Sequence, residues 1–152
     1  MDNITLAKIV DVICTIASGE RNVSTIVTQD IYQLDSIPNV KYSVFGITQN
    51  THREDDEDGI MYYSFNLFHL NRVTNDDASN ELLCQSTAIQ VLRNIIRKTC
   101  KYLDIETDIN QEIRYETFIQ KFADVTSGTY AEVTFAVPLD LCVEDYGEED
   151  DF

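Results

Sequence analysis

The alternation of apolar and polar positions changes between helical and strand period three times along this chain. Ile4, Ala7, Ile9, Val10, Ile13, Cys14 and Ala17 recur at three- and four-residue spacing, which predicts a short helix, Leu6–Ala17, with one apolar face. Asn3 is the expected N-cap and Gly19 the expected stop. Thr25–Thr28 reads as a short strand, Tyr32 and Leu34 as loop anchors, and Pro38 as a terminator. Tyr42–Thr48 is β-branched or aromatic on both faces and predicts a strand. Ile60–Val73 is the next strand, with Met61, Tyr63, Phe65 and Leu67 alternating with Tyr62, Ser64 and Asn66. The polar stretch Gln49–Gly59 between them predicts a long hairpin with a protruding acidic tip.

Ala78–Leu103 is the longest periodic segment. Leu82, Leu83, Ile89, Leu92, Ile95, Ile96 and Leu103 form its predicted apolar stripe. Asp76 and Asp77 at its start and Arg97, Lys98 and Lys101 near its end suit the helix dipole. Thr117–Val137 completes the pattern as two strands. Thr126-Ser-Gly is the expected turn between them, and Gly128 its positive-φ residue. Pro138 closes the last strand. The predicted fold is α+β: an antiparallel sheet of four to five strands with one long and one shorter helix on one face. Residues 1–142 are expected to form a single α+β domain, and 143–152 an acidic tail disordered in isolation.

Charge sharpens this picture. The 152 residues carry a net charge of −16. Five acids sit in the hairpin, Glu54, Asp55, Asp56, Glu57 and Asp58, and six in the tail, Glu144, Asp145, Glu148, Glu149, Asp150 and Asp151. Setting those eleven aside from the 27 leaves 16 acids against 11 bases, so the excess rides on two protrusions. Such a chain lacks the cationic surface that binding the outside of a nucleic acid requires. No apolar run reaches the length of a membrane span. Met-Asp-Asn lacks the basic region of a signal peptide, so residence in a cytoplasm is expected.

Candidate chemistry is sparse. With Gly59 at the sixth position of an EF-hand loop, Glu54, Asp56 and Asp58 take positions one, three and five. The twelfth position, where a bidentate carboxylate is needed, is then Phe65, and the flanks are strands. His52 and His69 have no histidine or cysteine at ligand spacing. Cys14, Cys84, Cys100 and Cys142 form no C-x-x-C pair and read as buried free thiols. No catalytic residues, metal or cofactor are expected.

The segment Phe118-Ile-Gln-Lys-Phe-Ala-Asp-Val-Thr-Ser-Gly-Thr-Tyr-Ala-Glu-Val-Thr-Phe-Ala-Val-Pro-Leu resembles the ending of small tail-terminator and neck proteins of tailed bacteriophages. The likeness is nearest to those of Bacteroidetes-infecting, crAss-like phages. The order of helix, strand, long loop, strand, helix and strand pair is similar too, over residues 1–142. The resemblance implies a structural ring at the head-to-tail junction of the virion, sixfold or twelvefold. Its neighbours would be portal, neck or tail proteins, with genomic DNA passing through unread and no membrane. Phe118, Phe122, Asp124, Gly128, Tyr130 and Pro138 match the pattern and are expected to determine the fold. Partner or channel contacts are expected from Glu54–Asp58 and from Glu148, Glu149, Asp150, Asp151 and Phe152 of the tail, which the pattern does not require. The competing expectation is an acidic DNA mimic that inhibits a nucleic-acid-binding protein. Against it, the acids do not run along helix or strand faces.

Overall fold

The computed structural model describes residues 3–28, 40–74, 77–121 and 125–142. Tyr32, Leu34, Pro38, Phe122, Asp124 and the acidic tail lie outside them, as do the readings made on them.

Helix α1 spans Leu6–Ser18 and buries Ile9, Val12, Ile13 and Ala17. Its cap is Thr5, whose hydroxyl accepts from the Lys8 N–H, and not Asn3. Hydroxyl side chains cap as well as amides do, and Thr5 stands where the first helical N–H groups need an acceptor. Helix α2 spans Ala78–Leu103 as its periodicity predicts. Asp77 caps its start by accepting from Ser79 N–H, and Asp104 ends it in the left-handed conformation, φ 53°.

The buried side of α2 is rotated from the predicted stripe. Cys84, Ala88, Val91, Leu92, Ile95, Ile96 and Thr99 are buried, whereas Leu82 and Leu83 are 65% and 62% exposed. Large apolar residues mislead here because the first turn of α2 approaches the sheet closely. Glu81 O accepts from the Ser127 hydroxyl at 2.9 Å, and Gln85 O from the Thr129 hydroxyl at 2.9 Å. Small residues on the helix permit that approach.

The sheet has seven strands and is mixed, a correction to the antiparallel expectation. They are β1 (Thr25–Val27), β2 (Val44–Gln49), β3 (Arg53–Asp55), β4 (Ile60–Arg72), β5 (Glu106–Thr107), β6 (Arg114–Lys121) and β7 (Val125–Pro138). Strands β1, β2, β4, β7 and β5 lie in that order, with β3 on β4 and β6 on β7. Among the described strands only β1 and β2 run parallel, and the stretch between them is long enough for the crossover that parallel strands need. The spine is β4 against β7, in register from Ile60↔Pro138 to Arg72↔Thr126.

Alternation along this spine divides the two faces. Phe65, Leu67, Ala131, Val133 and Phe135 join Phe45 and Ile47 under both helices in the main core. On the other face a smaller cluster gathers Val27, Val44, Phe68 and Leu70, with Phe118 and Tyr130 packed at its margin. Phe118 and Tyr130 thus contribute to packing, on the minor face.

Gly128 is not a turn residue. It lies inside β7 opposite Leu70, and its neighbour Ser127 pairs with Ile119 of β6. The strands approach so closely there that a Cβ at 128 would stand 2.0 Å from His69 O and 2.7 Å from Leu70 Cα. The glycine admits a neighbouring backbone where the sequence suggested a reversal. The positive-φ glycine among the described residues is Gly59, at 66°.

Candidate functional site

The acidic hairpin is more structured than its composition suggests. Strand β4 runs past the end of β2, whose Gln49 pairs with Phe65, and this overhang is where β3 pairs, Arg53↔Tyr62 to Asp55↔Ile60. The predicted loop is therefore interrupted by a strand, and the free turn shrinks to Asp56–Gly59. Asp55 shapes that turn: its Oδ1 accepts from the N–H groups of Glu57 and Asp58, each at 3.1 Å. Gly59 supplies the left-handed residue that lets the chain return as β4. Its carbonyl accepts from Leu139 N–H at 2.9 Å, which ties the turn to the end of β7.

The base of the hairpin is held by a buried charge. Asp108 is 2% exposed, and its Oδ2 accepts from Arg53 Nη2 at 3.0 Å. Its Oδ1 accepts from Asn110 N–H, and its own N–H donates to Thr134 O. Both carboxylate oxygens are thus engaged, as burial of a charge requires. The Arg53 guanidinium also stacks over the Tyr62 ring, 3.8 Å from its centre. Around this pair the helix-free face is polar. Asn50 and Asn66 exchange amide hydrogen bonds at 2.9 and 3.1 Å. Thr134 Oγ1 lies 3.1 Å from Ser64 Oγ and 3.2 Å from Gln111 Oε1. Asn50, Thr51, Arg53, Tyr62, Ser64, Gln111, Glu132 and Thr134 line a polar cup of about 190 Å³. The network pairs its members with one another, so its chemical work is to fix β3.

Glu54, Asp56, Glu57 and Asp58 are exposed on this anchored base, and Asp55 is half-buried within it. Glu54 and Asp56 share a hydrogen bond, which with their mutual repulsion raises the Glu54 carboxyl above its ordinary range. A folded base that crowds like charges at its tip presents them to a partner of opposite sign at little ordering cost.

No protein-family model and no curated protein matches the chain. Function has to be read from the surfaces themselves.

Opposite in sign to the hairpin is the second half of α2. Arg93, Arg97, Lys98 and Lys101 lie there, all exposed, four of the chain's 11 basic residues. Lys98 pairs with Glu20 at 3.0 Å and ties α2 to the end of α1. Arg97 and Lys101 rim a groove of about 750 Å³ floored by Ile96, Cys100, Ile105, Ile113, Ala136 and Pro138, with Asp104 and Glu106 also on its edge. Pro138 thus ends β7 and lines this groove.

Asp108 is the buried titratable residue that sequence reasoning missed; His69, considered there only as a metal ligand, is likewise a core residue, 1% exposed. Its Nε2 donates to Asn22 O at 2.7 Å, and its Nδ1 has no hydrogen-bond partner among the described residues. Burial holds its pKa below the ordinary histidine value. His52 is also lowered by burial; its Nδ1 accepts from Ser64 N–H. Burial raises all four thiols. Among the described residues no group of three His, Cys, Asp or Glu side chains is placed to hold a metal ion. No described helix is long and apolar enough to cross a membrane.

Proposed function

We propose that the protein is a structural ring component of a bacteriophage head-to-tail connector, of the neck or tail-terminator kind. The observation that carries this is the presence of both signs on one subunit: an anchored acidic tip at Glu54–Asp58 and a basic half of α2 at Arg93–Lys101. Patches of opposite sign on one subunit favour head-to-tail association of copies, and head-to-tail contacts close into rings when the rotation permits. The resemblance of the Phe118–Leu139 segment to tail-terminator endings supports the same reading. In this role the chain performs no catalysis, binds portal, neck or tail proteins above and below, and belongs to the virion. Six or twelve copies surround a channel through which DNA passes, and acidic groups facing that channel keep DNA from adhering, since adhesion needs cationic contacts.

Native mass spectrometry at graded ionic strength tests this. A sixfold or twelvefold species that weakens as salt rises is the expected result. A species that never exceeds a dimer, and instead inhibits a nucleic-acid-binding protein, overturns it in favour of a DNA mimic.

A further inference from the structure

Strands β1, β3 and β5 have three, three and two residues, but β6 has eight and pairs only with β7 among the described strands. A long strand open on one side is a template for another strand, and short edge strands are one way proteins avoid this. Strand β6, Arg-Tyr-Glu-Thr-Phe-Ile-Gln-Lys, contains neither proline nor glycine.

Which of its groups are free follows from its bonds to β7. Gln120 O accepts from the Thr126 hydroxyl of β7 at 3.1 Å, Phe118 O lies 3.4 Å from the Ser127 hydroxyl, and Val125 O turns the other way to accept from Val73 N–H at 2.8 Å, so the even residues of β7 face β6. The carbonyls of the even residues of β6, which pair with them, therefore point inward. In an antiparallel ladder each residue directs its N–H and C=O to one side, so Tyr115, Thr117 and Ile119 direct theirs outward. Ile119 is 46% exposed. It pairs with Ser127, the residue that anchors the first turn of α2 and its exposed Leu82. An open backbone edge and uncovered apolar side chains coincide at this one place.

We propose that this edge is an interface with a second copy of the chain, β6 against β6 about a two-fold axis normal to the sheet. Antiparallel pairing with Phe118 opposite Phe118 keeps each copy's helix face on the same side. It sets Thr117 against Ile119 and Glu116 against Gln120, and gives about eight backbone hydrogen bonds. The two Phe118 rings meet at the closely spaced, non-bonded position, where aromatic pairs stabilise sheets. No like charges stand opposite each other, although the chain's net charge is −16. The two-fold contact goes beyond the ring reading and does not depend on it.

Thr117→Pro tests the interface. Thr117 N–H points outward, so proline there removes an intermolecular bond while sparing the β6–β7 ladder. At an ionic strength high enough to screen the charged ring contacts, analytical ultracentrifugation of the wild type should show a monomer–dimer equilibrium, and Thr117→Pro should weaken it by roughly tenfold or more. Circular dichroism reports whether the variant is folded. Phe118→Cys gives a second readout, since Cα atoms about 4.5 Å apart at a non-bonded pair suit a disulfide. Under oxidation it should cross-link as a dimer, while the wild-type protein, with its four native thiols, should not. A wild type that stays monomeric as concentration rises, or a Phe118→Cys protein that does not cross-link, overturns the proposal. A larger oligomer unaffected by Thr117→Pro upholds the ring and overturns the β6 contact.

Discussion

Adding one methyl group at each of three glycines should produce three different costs, ranked by the structure. At Gly128 the new Cβ falls 2.0 Å from His69 O, 2.7 Å from Leu70 Cα and 2.8 Å from Leu70 Cβ. Two of these atoms are backbone of β4, the strand that pairs with β2, β3 and β7, so relief requires the β4–β7 spine to part. Overpacking typically costs about 1–3 kcal/mol, and a clash with backbone belongs at or above the upper end. At Gly46 the Cβ meets the Phe68 ring at 2.1 Å. A ring can rotate, but Phe68 is 2% exposed and has little room, so about 2 kcal/mol is expected. At Gly59 nothing lies within 4 Å, and the cost is that of holding alanine at φ 66°, about 1 kcal/mol. Urea unfolding of Gly128→Ala, Gly46→Ala and Gly59→Ala reads these as midpoint shifts at constant slope. In thermal unfolding the Gly128 variant should melt roughly 6–12 °C below the wild type, from ~2–4 °C per kcal/mol at this chain length. Gly128→Ala melting with the wild type, or Gly59→Ala proving the worst of the three, would refute the close-approach argument.

Three further outcomes follow from the packing and the charges. Leu82→Gln and Leu83→Gln should leave the thermal midpoint unchanged, whereas Leu92→Ala should cost about 2–5 kcal/mol; equal losses would show that the face of α2 is misassigned. Arg53→Met strands the Asp108 carboxylate and should cost about 1–3 kcal/mol, less than a fully buried pair because Arg53 is half exposed. Asp108→Asn should recover part of that loss in the double variant, and additive losses in the cycle would deny the coupling. His69 is held neutral by burial, so its folded pKa lies below its unfolded value of about 6.5. Above that value neither state is charged; as pH falls through it the unfolded chain gains the proton first, and stability drops toward pH ~5. His69→Gln should flatten the stability profile in that window, and a profile unchanged by the substitution would place the titration elsewhere.

The long helix was legible because twenty-six residues repeat one period without interruption. Its buried face was legible at Leu92, Ile95 and Ile96 but not in its first turns, because hydrophobicity ranks Leu82 and Leu83 above Cys84 and Ala88, while close packing onto Ser127 and Thr129 selects the small residues. Strand β3 escaped notice because Arg53-Glu-Asp has no strand propensity; the overhang of β4 and the buried Asp108 impose its conformation. The polarity of residues 49–59 also concealed the Arg53–Asp108 pair, which joins positions 55 residues apart. The local signal for it was the Asp108-Ile-Asn110 turn, in which the Asp side chain accepts from a backbone N–H two residues on. The parallel placement of β1 beside β2 depends on a long crossover and leaves no periodic trace. Gly128 was recognised as essential, for the wrong geometric reason.

In the ring we propose, copies of this chain join through patches of opposite charge. The most direct test is electron microscopy of the purified protein beside a variant with Glu54, Asp55, Asp56, Glu57 and Asp58 replaced by Asn or Gln. Asn at 55 keeps the oxygen that caps the turn, so the fold should survive. The wild type should give class averages of a ring of six or twelve copies around an open channel, and the folded variant should give none. Wild-type and variant particles that are both single copies or isolated pairs would contradict the account.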